Sequence, residues 1–115
     1  MSQNKFAPTK AAAWNRGPYE IDLPSGNKML AHRPNIYVWH KTGQIPDDVW
    51  ATLLATAKGE DVSVEARWDA VNWQICKCSV SPEISLAPRE GAVCIDDIDD
   101  LDRQALLIEL GIGLG

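Results

Sequence analysis

The segment Asp96–Asp102 is the densest group of side chains in this sequence that could do chemistry, because it holds five carboxylates in seven positions. An EF-hand calcium loop needs ligands spread over about twelve residues, a glycine at its sharp turn and a terminal Glu. This segment has none of these. The alternative is a helix start, where acidic side chains complement the helix dipole and Asp99 pairs with Arg103 four residues later. We favour the helix start. Docking on a basic partner is the alternative for the first four carboxylates, which are Asp96, Asp97, Asp99 and Asp100.

The three cysteines are a second candidate for chemistry, and the sequence assigns them none. An odd number of cysteines, Cys76, Cys78 and Cys94, argues against a disulfide framework and for a reducing compartment. Structural zinc sites usually use Cys-x2-Cys pairs or nearby histidines, whereas the two histidines, His32 and His40, lie far upstream. We predict buried thiols that pack as small hydrophobes, and no metal or cofactor.

No catalytic motif is visible in the chain. It has no Gly-x-Ser-x-Gly nucleophile turn, and its glycine-rich end Gly111–Gly115 lacks the lysine and the following helix of a phosphate-binding loop. We therefore expect a protein that is not an enzyme.

Composition and charge place the chain among small globular proteins. It has 115 residues, 45% hydrophobic and 23% charged, with a net charge of -5, so one domain with its own core is expected. Residues 1–45 carry six basic and two acidic side chains, whereas residues 46–115 carry five basic and fourteen acidic ones. Six scattered cations do not make a nucleic-acid site, and no apolar stretch is long enough for a signal peptide or a membrane span. We expect a cytoplasmic protein that binds neither nucleic acid nor membranes.

The first third of the chain predicts a flexible arm followed by a β-hairpin. Residues 1–18 show no sustained period and read as an arm whose Trp14 either anchors an interface or folds back onto its own domain. Tyr19–Leu23 alternates apolar and acidic residues like a half-buried strand, Pro24–Asn27 has turn chemistry, and Lys28–Arg33 returns. Residues 19–115 are expected to form a single domain.

Helical signals dominate the rest of the chain. We predict helices over 35–41, from Asp47 to Lys58, from Val64 to about Val80 after a Ser63 cap, and over 100–110 after an Asp97 or Asp99 cap. Residues 81–94, with two prolines and a glycine, are expected to form a loop. The predicted fold class is α+β, an N-terminal β-hairpin packed on three to four short α-helices.

The predicted third helix is apolar on two faces, which is more than a small domain can easily bury. One face carries Trp68 and is assigned to the core with Val64, Val71, Ile75 and Cys78. The other carries Trp73 with Ala66, Ala70, Cys76 and Val80, and is assigned to an oligomer or partner contact. Tryptophan is the commonest interface hot spot. Trp14 and Trp73 are therefore the predicted anchors, with Cys76 and Val80 beside Trp73.

The order of several short motifs resembles tail assembly chaperones of long-tailed bacteriophages, notably those that infect actinobacteria. The motifs are Leu23-Pro24-Ser25-Gly26, His32-Arg33-Pro34, Thr42-Gly43-Gln44-Ile45-Pro46 and the run from Ile95 to Arg103 followed by a short helix. They cover roughly residues 19–50 and 93–110, a little under half of the chain.

The resemblance implies a protein of the host cytoplasm that is made during infection. Proteins of this family bind the long, largely helical tape measure protein, keep it soluble and help to recruit tail tube subunits. They are usually absent from the finished virion, and many also occur in a longer form made by ribosomal frameshifting. Two alternatives remain: a structural virion protein (a tail, neck or head–tail joining subunit) whose arm reaches a neighbour, and a small host-directed or antitoxin-like binding protein.

Overall fold

The computed structural model describes residues 6–14 and 17–113 and confirms the predicted α+β class, with an N-terminal hairpin followed by helices. In chain order the elements are β1 Tyr19–Asp22, β2 Lys28–Ala31, α1 Ile36–Lys41, α2 Asp47–Ala57, α3 Val64–Cys78, β3 Ser79–Ser81, β4 Ile84–Ser85, β5 Val93–Cys94 and α4 Asp100–Leu110. Short 3-10 turns lie at Ala11–Trp14 and Ile95–Asp97. None of the described helices has the length and apolar content needed to cross a bilayer.

The predicted hairpin is present, and a third strand extends it. β1 and β2 pair antiparallel with Tyr19 opposite Ala31, and the turn between them closes through a 2.9 Å bond from the amide of Leu23 to the carbonyl of Asn27. Gly26 adopts a φ of 93°, a conformation that residues with a Cβ rarely take. β3 then pairs antiparallel with β2, so that β2 is the central strand of the sheet.

Side-chain caps begin three of the four helices. Asn35, Ser63 and Asp99 each accept a hydrogen bond from the amide three residues later, at 3.2, 3.1 and 2.8 Å. Such caps satisfy amides that have no partner within the helix. Gly111, at a φ of 70°, ends α4 in the left-handed conformation typical of helix C-termini. The predictions for α1, α2 and α4 are confirmed.

The prediction for the end of the third helix was wrong, because α3 stops at Cys78 and Val80 lies in β3. Ser79 has extended geometry; its Oγ donates to the carbonyl of Cys76 at 2.7 Å and accepts the amide of Ile84 at 2.9 Å. Serine side chains compete in this way with helical hydrogen bonds, and pairing with β2 holds the following residues extended. Val80 therefore belongs to the sheet.

The segment 81–94, predicted to be a loop, contains two very short strands. β4 and β5 pair in parallel, with Ile84 opposite Val93 and Ser85 opposite Cys94. Strands of two residues are too short to show the alternation by which strands are recognised in sequence. Pairing between them brings the acidic segment that follows β5 against the hairpin side of the domain.

The core forms around the second half of α3. Val71, Ile75 and Cys78 are buried there with Ile21 of β1 and Leu106 of α4.

The face of α3 that was predicted to lie in the core is exposed over the first turns of the helix. Val64 is 61% exposed and Trp68 is 37% exposed. Because β3 continues directly from the C-terminal end of α3, the sheet covers that end of the helix and leaves its beginning on the surface.

Candidate partner-binding site

Helix α1 packs against the face of α3 that was predicted to bind a partner. The ring of Trp39 meets the ring of Trp73 edge to face, with centroids 5.6 Å apart and planes at 86°. One residue further, His40 stacks on Trp50 of α2 with centroids 3.7 Å apart and planes at 12°. Such aromatic pairs stabilise packing beyond the area they bury. Part of the Trp73 surface is thus occupied within the chain, and its role in partner binding stays a prediction.

A groove of about 900 Å³ opens between the N-terminal arm and the body of the domain. Three aromatic side chains line it, Trp14 from the arm, Tyr19 from the start of β1 and Trp39 from α1. Two cationic side chains, Arg33 and Lys77, lie among them. No described residue that lines the groove carries a carboxylate, although the chain as a whole has a net charge of -5. The groove is therefore an aromatic and cationic surface on an acidic protein.

Arg33 is held in place by its neighbours on one side of this groove. Its guanidinium carbon lies 4.7 Å from the centroid of the Tyr19 ring, within the range of a cation–π contact. The Tyr19 hydroxyl donates to the carbonyl of Glu109 at 3.0 Å, and Arg33 donates to the same carbonyl at 3.4 Å. Burial raises the pKa of Tyr19 despite the opposing effect of Arg33. These two hydrogen bonds join the Tyr19 and Arg33 side of the groove to the C-terminal end of α4.

Lys77 is positioned on the other side of the groove by α1 and the residues that follow it. Its Nζ lies 6.0 Å from the centroid of the Trp39 ring and donates to Gln44 Oε1 at 2.6 Å. Gln44 in turn donates to the hydroxyl of Thr42 at 2.7 Å. The Lys77 ammonium is thus held beside the Trp39 ring, and its remaining N–H groups can still donate to a bound carboxylate.

Trp14 stands apart from the hydrophobic core. Its side chain is 79% exposed, and its Nε1 donates to the carbonyl of Thr9 within the arm at 3.3 Å. Of the two roles left open by the sequence, burial within its own domain is therefore not the one seen. The indole lines the groove together with Trp39, and its role as an interface anchor stays a prediction.

Cys76 and Val80, the two residues grouped with Trp73 in the sequence, do not line the groove. Cys76 is half-buried, and burial, followed by the nearby Cys94, raises the pKa of its thiol to about 11. Val80 is exposed on the edge strand β3. The structure thus separates the predicted Trp73 group, and the assignment of both residues to a partner contact stays a prediction.

The four acidic candidates lie together, away from the groove. Asp96, Asp97, Asp99 and Asp100 are all exposed at the start of α4. Asp97 and Asp99 border a second, smaller cleft of about 260 Å³. Its lining combines polar side chains, which include Asn27, Lys28 and Asp102, with the apolar side chains of Leu23, Met29, Ile84, Val93, Ile98 and Leu106. Sequence reasoning identified the carboxylates but not the cleft, which four separate segments create.

The predicted pair between Asp99 and Arg103 is replaced by other contacts. Arg103 donates to Asn72 Oδ1 at 2.9 Å and to the carbonyls of Ile95 and Ile98 at 2.9 and 3.2 Å. Asp99 Oδ1 instead accepts the amide of Asp102 as the helix cap. The carbonyls of the 3-10 turn need donors, and the forked guanidinium supplies several at once.

Sequence reasoning missed most of the groove residues because they come from distant segments. Trp39 and Lys77 are 38 positions apart, and neither Arg33 nor Tyr19 stood out among ordinary surface residues. One signal was available: Lys77 follows Trp73 by four positions in a predicted helix, so the two share a face.

Within the described part of the chain, no three His, Cys, Asp or Glu side chains are grouped so that they could hold a metal ion. Comparisons of the sequence with models of known protein families and with curated proteins, and of the structure with solved structures, find no match.

Proposed function

We propose that this protein is a binding protein without catalytic activity that acts as a phage tail assembly chaperone and holds a segment of the tape measure protein in the groove between Trp14 and Trp39. The observation that supports this most is the groove itself. It places three aromatic side chains and two ordered cations around a space of about 900 Å³. It needs no metal or cofactor for this role.

The lining of the groove defines the chemistry of the client segment. Aromatic rings supply large rigid apolar surfaces, and Trp and Arg are the residues most enriched among interface hot spots. The guanidinium of Arg33 and the ammonium of Lys77 favour carboxylates. We therefore expect a client segment that presents apolar side chains together with Asp or Glu, as one face of an amphipathic helix does.

The motif order supports the finer assignment to tail assembly. The hairpin turn Pro24-Ser25-Gly26 and the acidic run that ends at Arg103 are distant in sequence but adjacent in the fold, since Ser25 bonds to Asp102. Motifs that contact one another have a structural reason to occur together. On this proposal the protein acts in the host cytoplasm, keeps the tape measure protein soluble and helps to recruit the tail tube protein.

A structural virion subunit is the second candidate, and the arm supports it. Phe6 and Trp14 expose 78% and 79% of their surface, and the Cα radius of gyration is 16.7 Å, against about 13 Å for a compact domain of this length. An arm that projects from the body is suited to reach a neighbouring subunit. Mass spectrometry of purified particles separates the candidates, because a stoichiometric amount in virions favours the subunit and its absence favours the chaperone.

Co-expression with the tape measure protein of the same phage tests the proposal. We expect more soluble tape measure protein and a complex that elutes together on a sizing column. Trp14→Ala and Lys77→Glu should each reduce the amount of complex, whereas Trp68→Ala, a tryptophan substitution outside the groove, should not. Failure to form a complex, or a complex that is indifferent to both groove variants, would contradict the proposal.

A further inference from the structure

The small cleft beside the acidic segment is a second binding surface, separate from the groove. It lies at the turn end of the hairpin, where Leu23 and Met29 form part of its wall, whereas the groove lies at the open end, at Tyr19 and Arg33. β1 spans four residues, or about 13 Å. The two surfaces therefore lie at opposite ends of the hairpin.

The cleft suits one large apolar side chain that is flanked by positive charge. Its volume of about 260 Å³ is below the roughly 300–1,000 Å³ typical of small-molecule sites. Asp97 and Asp99 stand at its border and are exposed. Lys28 also borders it, but the Nζ of Lys28 is paired with Asp22 Oδ1 at 2.9 Å. The border therefore presents carboxylates to an incoming chain.

The N-terminal arm of this protein has the matching chemistry. Phe6 is the only phenylalanine in the chain, and its neighbours in the sequence include Lys5 and Lys10. Residues 1–18 contain three basic and no acidic side chains. Phe6 is 78% exposed, so it is not used within its own chain.

We propose that the arm of one copy of this protein binds the small cleft of a second copy, with the Phe6 ring packed against the accessible side chains of Leu23, Val93 and Ile98 and the arm cations facing Asp97 and Asp99. A buried aromatic ring supplies most of the affinity in such a contact, and the exposed charges mainly set orientation and salt dependence. The contact joins two unlike surfaces. The same geometry therefore allows a reciprocal pair or a longer row of copies.

A second copy is the occupant that the structure favours over the arm of the same chain. The arm enters the domain at Tyr19, the end of the hairpin away from the cleft, and Trp14 lies at the groove. With the arm in this position, Phe6 is exposed and its own cleft holds no side chain of the arm. The self-association does not require the client, so its test stands apart from the test of the proposed function.

The experiment uses the full chain and two classes of variant. Phe6→Ala removes the ring, and Asp97→Asn with Asp99→Asn removes the charges while Asn at position 99 still caps α4. Sedimentation velocity at low salt should show wild-type self-association that weakens about thirtyfold with Phe6→Ala and roughly tenfold with the double variant. Phe6→Leu should restore most of the affinity. Each variant alone should be mainly monomeric, but a mixture of the two should form mixed dimers, because one arm and one cleft remain intact.

A synthetic peptide of residues 1–12 provides the second measurement. It should bind the Phe6→Ala protein, and adding the Asp97→Asn/Asp99→Asn changes should weaken that binding roughly tenfold, whereas Lys77→Glu should not weaken it. The proposal is overturned if the wild type stays monomeric and the peptide does not bind. It is also overturned if the mixture of variants forms no dimers, or if Lys77→Glu abolishes peptide binding.

Discussion

The buried carboxylate of Asp102 accepts two hydrogen bonds from Ser25, one from the backbone amide to Oδ1 at 3.0 Å and one from the hydroxyl to Oδ2 at 2.5 Å. The residues are 77 positions apart, and the contact ties the hairpin turn to the first turn of α4. Asp102 is 4% exposed. Of the five carboxylates in the acidic segment, Asp102 is buried and Asp99 caps α4, whereas those of Asp96, Asp97 and Asp100 are exposed and make no hydrogen bond within the described part of the chain.

Replacing Asp102 should destabilise the domain, because Asp102→Ala leaves the amide and the hydroxyl of Ser25 without their acceptor. We expect a loss of about 2–3 kcal/mol in the free energy of unfolding, and about 1 kcal/mol for Ser25→Ala, which removes the hydroxyl but keeps the bond from the Ser25 amide to Asp102. Urea unfolding measures both. Asp96→Ala, on the exposed part of the same segment, is the control and should leave stability unchanged. An unaltered unfolding midpoint for Asp102→Ala would show that the contact is not stabilising.

Arg103 should resist replacement even by lysine. Its guanidinium serves Asn72 and two carbonyls at once, a geometry that a single ammonium cannot reproduce. We expect Arg103→Lys to lower the free energy of unfolding by about 1–2 kcal/mol. Arg89→Lys is the matched control, since Arg89 makes an exposed 2.6 Å ion pair with Glu83 and should be replaceable without measurable loss. Equal effects of the two substitutions would contradict this account of Arg103.

The assignment of the Trp68 face to the core would make Trp68→Ala the more destabilising of the two tryptophan substitutions in α3. We expect the opposite order. Trp73→Ala removes the partner of Trp39 and should cost about 2–4 kcal/mol, whereas Trp68→Ala, at an exposed position, should cost about 1 kcal/mol. Chemical denaturation of the two variants checks this. If Trp68→Ala were instead the less stable variant, the result would support the original assignment of the Trp68 face to the core.

The thiols of α3 should react slowly and make stability depend on alkaline pH. Burial raises the pKa of Cys76 from 9.0 to about 11 and that of Cys78 to about 12. At pH 8, alkylation of Cys76 should be about 100-fold slower in the folded protein than in urea, as read by mass spectrometry. Because the unfolded chain loses these protons first as pH rises above 9, the free energy of unfolding should fall between pH 9 and 11. Rapid alkylation of native Cys76 would contradict the described burial.

The hairpin and both boundaries of α4 could be predicted because their signals are local. Alternation in Tyr19–Leu23, the cap at Asp99 and the glycine after Leu110 each depend on neighbouring residues only. The end of α3 could not be predicted in this way, because the residues after Cys78 leave the helix and pair with β2, a strand about fifty positions earlier. Distant strand pairing overrides local helical periodicity.

The candidate site was predictable only in its most conspicuous members. Trp14 was chosen as a large aromatic residue in an arm, and the structure places it on the groove. Its partners across the groove, Trp39 and Lys77, are brought there by the packing of α1 on α3. No spacing in the sequence encodes such a tertiary contact. The same holds for the walls of the small cleft, which become a site only when β4 pairs with β5.

The dissociation constant of the tape measure protein for the Trp14→Ala variant, measured beside wild type and Trp68→Ala, tests the central claim most directly. Loss of an interface tryptophan should raise the dissociation constant at least about tenfold, since hot-spot truncation typically costs 2 kcal/mol or more. Because Trp14 lies outside the core, the variant should unfold at the same urea concentration as wild type. A client that binds the Trp14→Ala variant as tightly as it binds the wild type would show that the groove is not the binding site.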